Sequence, residues 1–311
     1  MDSGRVVRNH HGVDLAAGLQ TFVRVAEAGS FTRAARSLGV TPSGVGKTLA
    51  RLEAELGVRL LARTTRRVTL TEDGELFFDQ CRKILDDLEN ARSFLSSRRA
   101  AARGRLRVTV PATIGRRFLV PALAKFVAAH PEVKLELVLT DRLVNLVEEH
   151  VDVAIRIGAL ADSSLVARKI GAQQVITIAA PQLLRGRRVH APVDLAAVPA
   201  VVFRRPSSGT VRPWTFSDRG HVATIHPRAT ISIDDGEAMV AAVRAGLGVA
   251  QVPHYMAEAE LAAGQVVEVL PSFRPPTEPI FAVHLHQRIV PPRTRAFLDF
   301  CARRSVSFGQ A

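Results

Sequence analysis

Between residues 15 and 56 the chain carries three short apolar-periodic segments separated only by helix-capping residues, and nothing else in it limits the fold so tightly. Leu15, Leu19, Phe22, Val23 and Ala26 recur at helical spacing and give a first helix one apolar face. Ser30 is a good N-cap for a second helix reaching Leu38, which Gly39 can end. Thr41 caps a third helix with Pro42 at its first position, where the missing N–H costs nothing. Along it Val45, Leu49, Leu52 and Leu56 form the stripe expected to be buried, and Lys47, Thr48 and Arg51 fall on the other side. Helix, tight turn and polar-faced helix is the helix-turn-helix pattern, whose second helix enters the major groove of DNA. Arg63-Thr64-Thr65-Arg66-Arg67 then lies between two short apolar runs, Leu60-Leu61 and 68–70, and reads as a hairpin wing presenting cations to phosphates.

Thr71 can cap a long helix reaching about residue 97. On it Phe77, Cys81, Ile84, Leu88, Ala91 and Leu95 make an a/d heptad seam, narrow enough to predict pairing with a partner helix. The duller reading is a helix packed on its own domain. Cys81 on this seam reads as a small buried hydrophobe.

The segment AEAGSFTRAARSLGVTPSGVGKTLARLEAELGVRLLARTTRRVTLTEDG resembles, without gaps, the DNA-binding head of LysR-type transcriptional regulators, and the likeness continues more loosely to the C-terminus. The resemblance implies DNA contacts from Thr41, Ser43, Gly44, Gly46, Lys47 and Arg51 on the third helix. Phosphate contacts are expected from Arg33 and from Arg63, Thr65, Arg66 and Arg67 of the wing. It also implies dimerisation through the long helix and a homotetramer on an interrupted DNA palindrome. A small-molecule effector would control it, and RNA polymerase is a candidate partner. Many members carry Ala and Ser where this chain has Gly44 and Gly46. Each glycine costs about 0.5–1 kcal/mol of helix stability relative to Ala, so close approach of the backbone to DNA is the functional reading.

From residue 106 the pattern changes to short β runs alternating with amphipathic helices, which predicts an α/β sheet. Strands are expected at 106–110, 134–139 and 151–157, and helices at 114–129 and 142–149. A second α/β unit follows, with strands at 174–180, 201–203, 224–233 and 249–252 and a helix at 236–245. The chain then returns through a strand at 279–286 and a helix at 291–304. Two α/β lobes joined by two crossing strands make a periplasmic-binding-protein-like architecture, similar to the effector domain of the same family. The expected plan is an arm at 1–13, a winged helix-turn-helix at 14–72 and a linker helix at 73–102. An effector domain follows at 105–311, with lobe I at 105–172 and 278–311 and lobe II at 173–277.

Ligands in such a domain sit outside the C-terminal ends of strands. The residues landing there, which match the family's effector positions, are Pro111, Ala112, Thr113, Thr140, Arg156 and Ile157 in lobe I and Phe203, Arg204, Asp235 and Val252 in lobe II. Arg156 and Arg204 would favour an anionic effector.

Lys and Arg number 42 against 29 Asp and Glu, a net charge of +13 that suits a polyanionic partner, although the motif carries that argument. Two distant cysteines suggest neither a disulfide framework nor a zinc site, which fits a reducing compartment. No signal-peptide core or membrane-length apolar run is seen, so a cytoplasmic protein without a membrane partner is expected. There is no Gly-x-Ser-x-Gly, P-loop or His-Glu-x-x-His, and no catalysis or cofactor is expected. His284 and His286 share a strand face but lack a carboxylate or cysteine nearby, and read as ordinary strand histidines. The rival from another class is a small-molecule binding protein whose head no longer reads DNA.

Overall fold

The computed structural model describes residues 15–63, 68–95, 101–160, 165–287, 290–303 and 306–308. The chain divides into two compact units, Met1–Arg99 and Ala100–Ala311.

In the first unit, α1 (Leu15–Ala28), α2 (Phe31–Leu38) and α3 (Pro42–Leu56) share one apolar core. Their ends are fixed locally. Ser30 Oγ accepts from the Arg33 N–H, and Thr41 Oγ1 accepts from the Gly44 N–H at 3.2 Å. Gly39, at φ +68°, turns the chain between α2 and α3. Val45, Leu49 and Leu52 are buried as expected, but Leu56 is 39% exposed, because the chain leaves the core at Gly57. Leu15 is likewise at the surface, and Val25 is buried in its stead.

Strands β1 (Leu61–Arg63) and β2 (Val68–Leu70) pair antiparallel with Leu61 opposite Leu70. Glu53 on α3 anchors the start of this hairpin by accepting from the N–H groups of Leu60 and Leu61. Helix α4 (Glu72–Leu95) begins at Thr71, whose hydroxyl accepts from the Gly74 N–H at 3.0 Å. Glu72, Asp73 and Glu75 suit the positive end of its dipole. A Cβ on Gly74 would lie 2.0 Å from the Leu60 carbonyl oxygen, so only glycine lets α4 start this close to the hairpin.

The second unit holds a six-stranded sheet in the order β15-β6-β14-β5-β3-β4. Its strands are β3 (Gly104–Val110), β4 (Val133–Leu139), β5 (Val153–Ile157), β6 (Leu165–Gln173), β14 (Glu278–Leu285) and β15 (Val306–Phe308). Strand β3 runs parallel to β4 and β5, while β14 runs antiparallel to β5 and β6. A second body of structure is built on β7 (Val175–Ala179), β8 (Ala200–Phe203), the hairpin β9 (Trp214–Asp218) and β10 (His221–Ile225), β11 (Ala229–Ile233), β12 (Ala250–Pro253) and β13 (Val267–Val269). At the crossing between the two, Gln174 donates from Nε2 to the carbonyls of Val175 and Pro275, both at 2.9 Å, and ties the connecting strands together.

Helix α5 runs in three pieces: Ala112–Ile114, a π turn over Gly115–Leu119, and Val120–Ala129. It starts two residues earlier than its periodicity predicts. The π turn follows from Pro121, which has no N–H to give the preceding turn. The Val120 N–H instead reaches back five residues to the Gly115 carbonyl. The remaining helices are α6 (Pro181–Leu184), α7 (Gly236–Arg244), α8 (His254–Ala262) and α9 (Pro292–Arg303).

Two expected elements are replaced. Residues 142–149 form turns rather than a helix; Asn145 Oδ1 accepts from the Val147 N–H at 3.0 Å, and buried Val144 and Leu146 alternate rather than follow a helical spacing. The single strand expected at 224–233 is two, β10 and β11, broken at Pro227 and pairing with different partners. Strands β6, β9, β13 and β15 and helix α8 carry no clear sequence signal. In β6, Arg168, Lys169 and Gly171 interrupt the apolar alternation.

Candidate functional site

Two regions collect the expected site residues. The first is the outer face of α3. Thr41 caps it, and Ser43, Lys47 and Arg51 are exposed one turn apart on the side opposite Val45, Leu49 and Leu52. Such a face offers a hydroxyl and two cations at the spacing of a groove-bound helix. A Cβ on Gly46 would meet nothing within 4 Å, whereas one on Gly44 would lie 3.2 Å from Thr41 Oγ1. No packing reason therefore requires glycine at 46. Arg33 is exposed on α2, and Arg36, which periodicity did not single out, is exposed in its last turn. The side chain of Arg63 and residues Thr65, Arg66 and Arg67 lie outside the described residues.

The seam on α4 divides. Phe77 and Cys81 pack into the core of their own unit, Phe77 against Phe22 with ring centroids 5.7 Å apart. Cys81 is fully buried, and burial pushes its thiol up to about 12. Ile84 and Leu88 stand 51% and 37% exposed, so of the described seam only these two are available to a second helix. The side chains of Ala91 and Leu95 lie outside the described residues.

The second region is the cleft of the Ala100–Ala311 unit. Pro111, Ala112 and Thr113 open α5 at the end of β3, with Thr113 buried. Asp141 Oδ1 accepts from the Ala112 N–H at 3.3 Å, so a carboxylate of the chain itself already caps this helix end. Thr140 Oγ1 accepts from the Arg142 N–H. Across the cleft, Asp235 caps α7 by accepting from the Ala238 N–H at 2.7 Å. Val252 is 1% exposed inside the apolar core of the second lobe, and Phe203 packs against the same core, so Val252 is a core residue rather than a lining one. Ile157 packs on the core of the first lobe.

The two arginines expected to mark an anion are engaged within their own lobes. Arg156 donates to the Val144 carbonyl at 2.9 Å, and Arg204 pairs with Asp234 at 3.9 Å.

Sequence reading missed the contacts that span the cleft. Arg116 on the π turn reaches Glu237 on α7 at 2.5 Å and Asp235 at 3.9 Å. Its neighbour Arg117 reaches Glu237 at 3.4 Å and donates to the Tyr255 carbonyl. The Leu143 N–H donates to Ser207 Oγ, and Phe118 meets Tyr255 edge-on at 5.2 Å. Burial holds the Asp141 carboxyl above its ordinary range; the Ala112 N–H and Arg116 pull it down, and Asp235 and Glu237 push it up. Nearer the crossing, Glu278 accepts from Gln173 Nε2 at 2.8 Å and pairs with Arg212. Partners more than sixty residues apart leave no periodic trace in the chain.

His284 is buried with Nδ1 2.8 Å from the Leu285 carbonyl oxygen, and no metal-binding group of His, Cys, Asp and Glu occurs among the described residues. No helix among them is long and apolar enough to cross a membrane.

Residues 17–75 match the family described as bacterial regulatory helix-turn-helix protein, lysR family, and residues 99–305 match the LysR substrate binding domain. The chain is 37% identical over 282 residues to the HTH-type transcriptional regulator PtxR of Pseudomonas aeruginosa, covering 90% of each protein. Among solved structures it is similar to CrgA, a LysR-type transcriptional regulator from Neisseria meningitidis, at 31% identity and a TM-score of 0.56 over 93% of this chain and 98% of that one. Full-length AphB, the Vibrio cholerae virulence activator, matches at 27% identity and a TM-score of 0.58 over 93% of this chain and 99% of AphB.

Proposed function

This chain belongs to the LysR family of transcriptional regulators, with a DNA-binding and an effector-binding domain, and on that premise we propose how it works. The head, residues 14–72, reads a specific DNA site with Ser43, Lys47 and Arg51 of α3, while Arg33 and the wing cations hold phosphates. The linker helix, 73–102, pairs two protomers through Ile84 and Leu88 and the seam beyond them. Two such pairs make a homotetramer acting at promoters in the cytoplasm, with RNA polymerase as its further partner. The effector unit, 105–311, takes a small polar molecule between its lobes at the strand ends around Thr113, Thr140 and Asp235.

The observation that carries this reading is the face of α3. It is a well-capped helix with an apolar stripe buried in its own unit and a polar, cationic face left open. A gel shift against DNA upstream of the protein's own gene, at two salt concentrations with excess competitor, is the test. Retention that survives competitor is the expected result. Retention that competitor removes at both salts would sink sequence-specific reading.

For the effector, the bonds of Arg156 and Arg204 give an anion no ready pair of cations. An occupant bridging the lobes must instead compete with the Arg116–Glu237 pair and with Asp141 at Ala112. Thermal melting against a panel of small organic acids, amines and neutral polar compounds ranks these classes directly. Stabilisation by acids alone would restore the anionic effector.

A further inference from the structure

Residues 181–230 hold eight arginines and two aspartates, a surplus of six positive charges in a stretch far from the helix-turn-helix. The topology gathers half of these arginines at one end of lobe II. Strands β8 and β11 run parallel, with Ala200 opposite Ala229 at their starts and Phe203 opposite Ile233 at their ends. Their ends lead to Arg204 and Asp235 at the cleft; their starts therefore face away from it. Strand β7 runs antiparallel to β12, and Ala200 bridges to Val249 just before β12, so β7 finishes at that same far end. There it delivers α6 and the loop Arg185-Gly186-Arg187-Arg188. Arg187 donates to the Ala197 carbonyl at 3.1 Å, and Arg228 immediately precedes Ala229.

All four arginines are exposed. Asp194, in the turn that follows this loop, accepts from the N–H groups of His190 and Ala191, which hold its carboxyl below the ordinary range. Among the described residues Arg185, Arg188 and Arg228 have no carboxylate partner, whereas Arg204 and Arg212 of the same stretch pair with Asp234 and Glu278. Among the described residues no aromatic side chain of this lobe is exposed as a protein interface would need: Trp214 and Phe216 are buried and Phe273, on the same core, is half-buried. Exposed arginines without aromatics suit phosphate oxygens.

We propose that this far end of lobe II is a second, sequence-independent DNA contact, gripping backbone phosphates of duplex flanking the site held by the recognition helices. The proposal rests on the reading of the head as a DNA reader, and the experiment separates the two. Full-length protein is titrated by fluorescence anisotropy against random-sequence duplexes of about 20 and about 80 base pairs over a range of salt, given that each phosphate neutralised contributes about 0.9 to the salt slope. The variant carries Arg185→Ser, Arg188→Ser and Arg228→Ser together; the control carries Lys125→Ser, Lys134→Ser and Lys169→Ser, the same charge loss from exposed lobe I positions. The expected result is short-duplex binding within about twofold of the parent and a long-duplex slope shallower by about two units or more, with the control unchanged. An unchanged long-duplex slope, equal losses on both lengths, or the same loss in the control overturns the proposal. Failure of the parent on both duplexes would sink the DNA reading itself, and this contact with it.

Discussion

The recognition face and the cleft are built from similar side chains in opposite states. On α3, Lys47 and Arg51 are exposed and have no hydrogen-bond or ion-pair partner among the described residues. In the cleft every charged group discussed is already satisfied: Arg116 and Arg117 by Glu237, Asp141 by Ala112, Asp235 by Ala238. An open cationic face gives up only water contacts for a phosphate or base contact. A self-satisfied cleft gains only the difference between the effector's bonds and those it displaces. The first arrangement suits persistent attachment to a polyanion. The second suits a switch, because a small free-energy difference decides between two nearly balanced sets of contacts.

That contrast can be broken in four places. The largest effect belongs to α3: Lys47→Ala with Arg51→Ala should cost about 30-fold or more in operator affinity, from about 1–3 kcal/mol per contact, while the melting temperature stays put. A fall in melting temperature would mean these side chains have partners in the fold. Next comes Gly46→Ser. Filling open space should stabilise the helix, by up to about 0.5–1 kcal/mol on the glycine-to-alanine scale, yet weaken operator binding if the backbone lies close to DNA. Affinity equal to or above the parent's would rule close approach out. Third, Glu237→Gln removes the charge that Arg116 and Arg117 share. The group is about one-third exposed, so stability should change by less than about 1 kcal/mol. Hydrogen exchange at 115–119 and 236–240 should nonetheless quicken; identical exchange would show that the pair does not hold the lobes together. The smallest effect is at Asp141. Burial raises its carboxyl, so the folded state favours the protonated form. Its contribution to stability is therefore complete below the ordinary carboxylate value and is lost as pH rises through the raised one. The melting temperature of Asp141→Asn relative to the parent should climb from about pH 3 to pH 7; a flat difference would place the carboxylate in water.

The same contrast explains what the chain disclosed before folding. Caps and apolar stripes act within a few residues, so Ser30, Gly39, Thr41 and Thr71 mark the helices of the head directly. Leu56 fails only because periodicity cannot say where neighbouring elements stop. The α4 seam is legible as a pattern but not as a destination: Phe77 and Cys81 turn into their own core while Ile84 and Leu88 remain outside, and one heptad rule describes all four. In the second unit, the alternation of strands and helices discloses the architecture. The cleft's wiring stays hidden, because Arg116 and Glu237, 121 residues apart, meet only after the chain has crossed from one lobe into the other. Val252 reads as a lining residue from its position at a strand end, whereas its side chain points into the core.

The π turn at Gly115–Leu119 is in effect a one-residue insertion absorbed inside a helix. Removing a single residue there would restore ordinary winding and swing the preceding side chains by about 100° relative to those that follow. Arg116 and Arg117 would then aim elsewhere, with the rest of the lobe unaltered. Gly115 makes such a change hard to tolerate at its own position, since a Cβ there would lie 2.2 Å from Leu139. The grip between the lobes is thus set by a phase, which a one-residue insertion or deletion between 112 and 121 would shift without replacing either arginine.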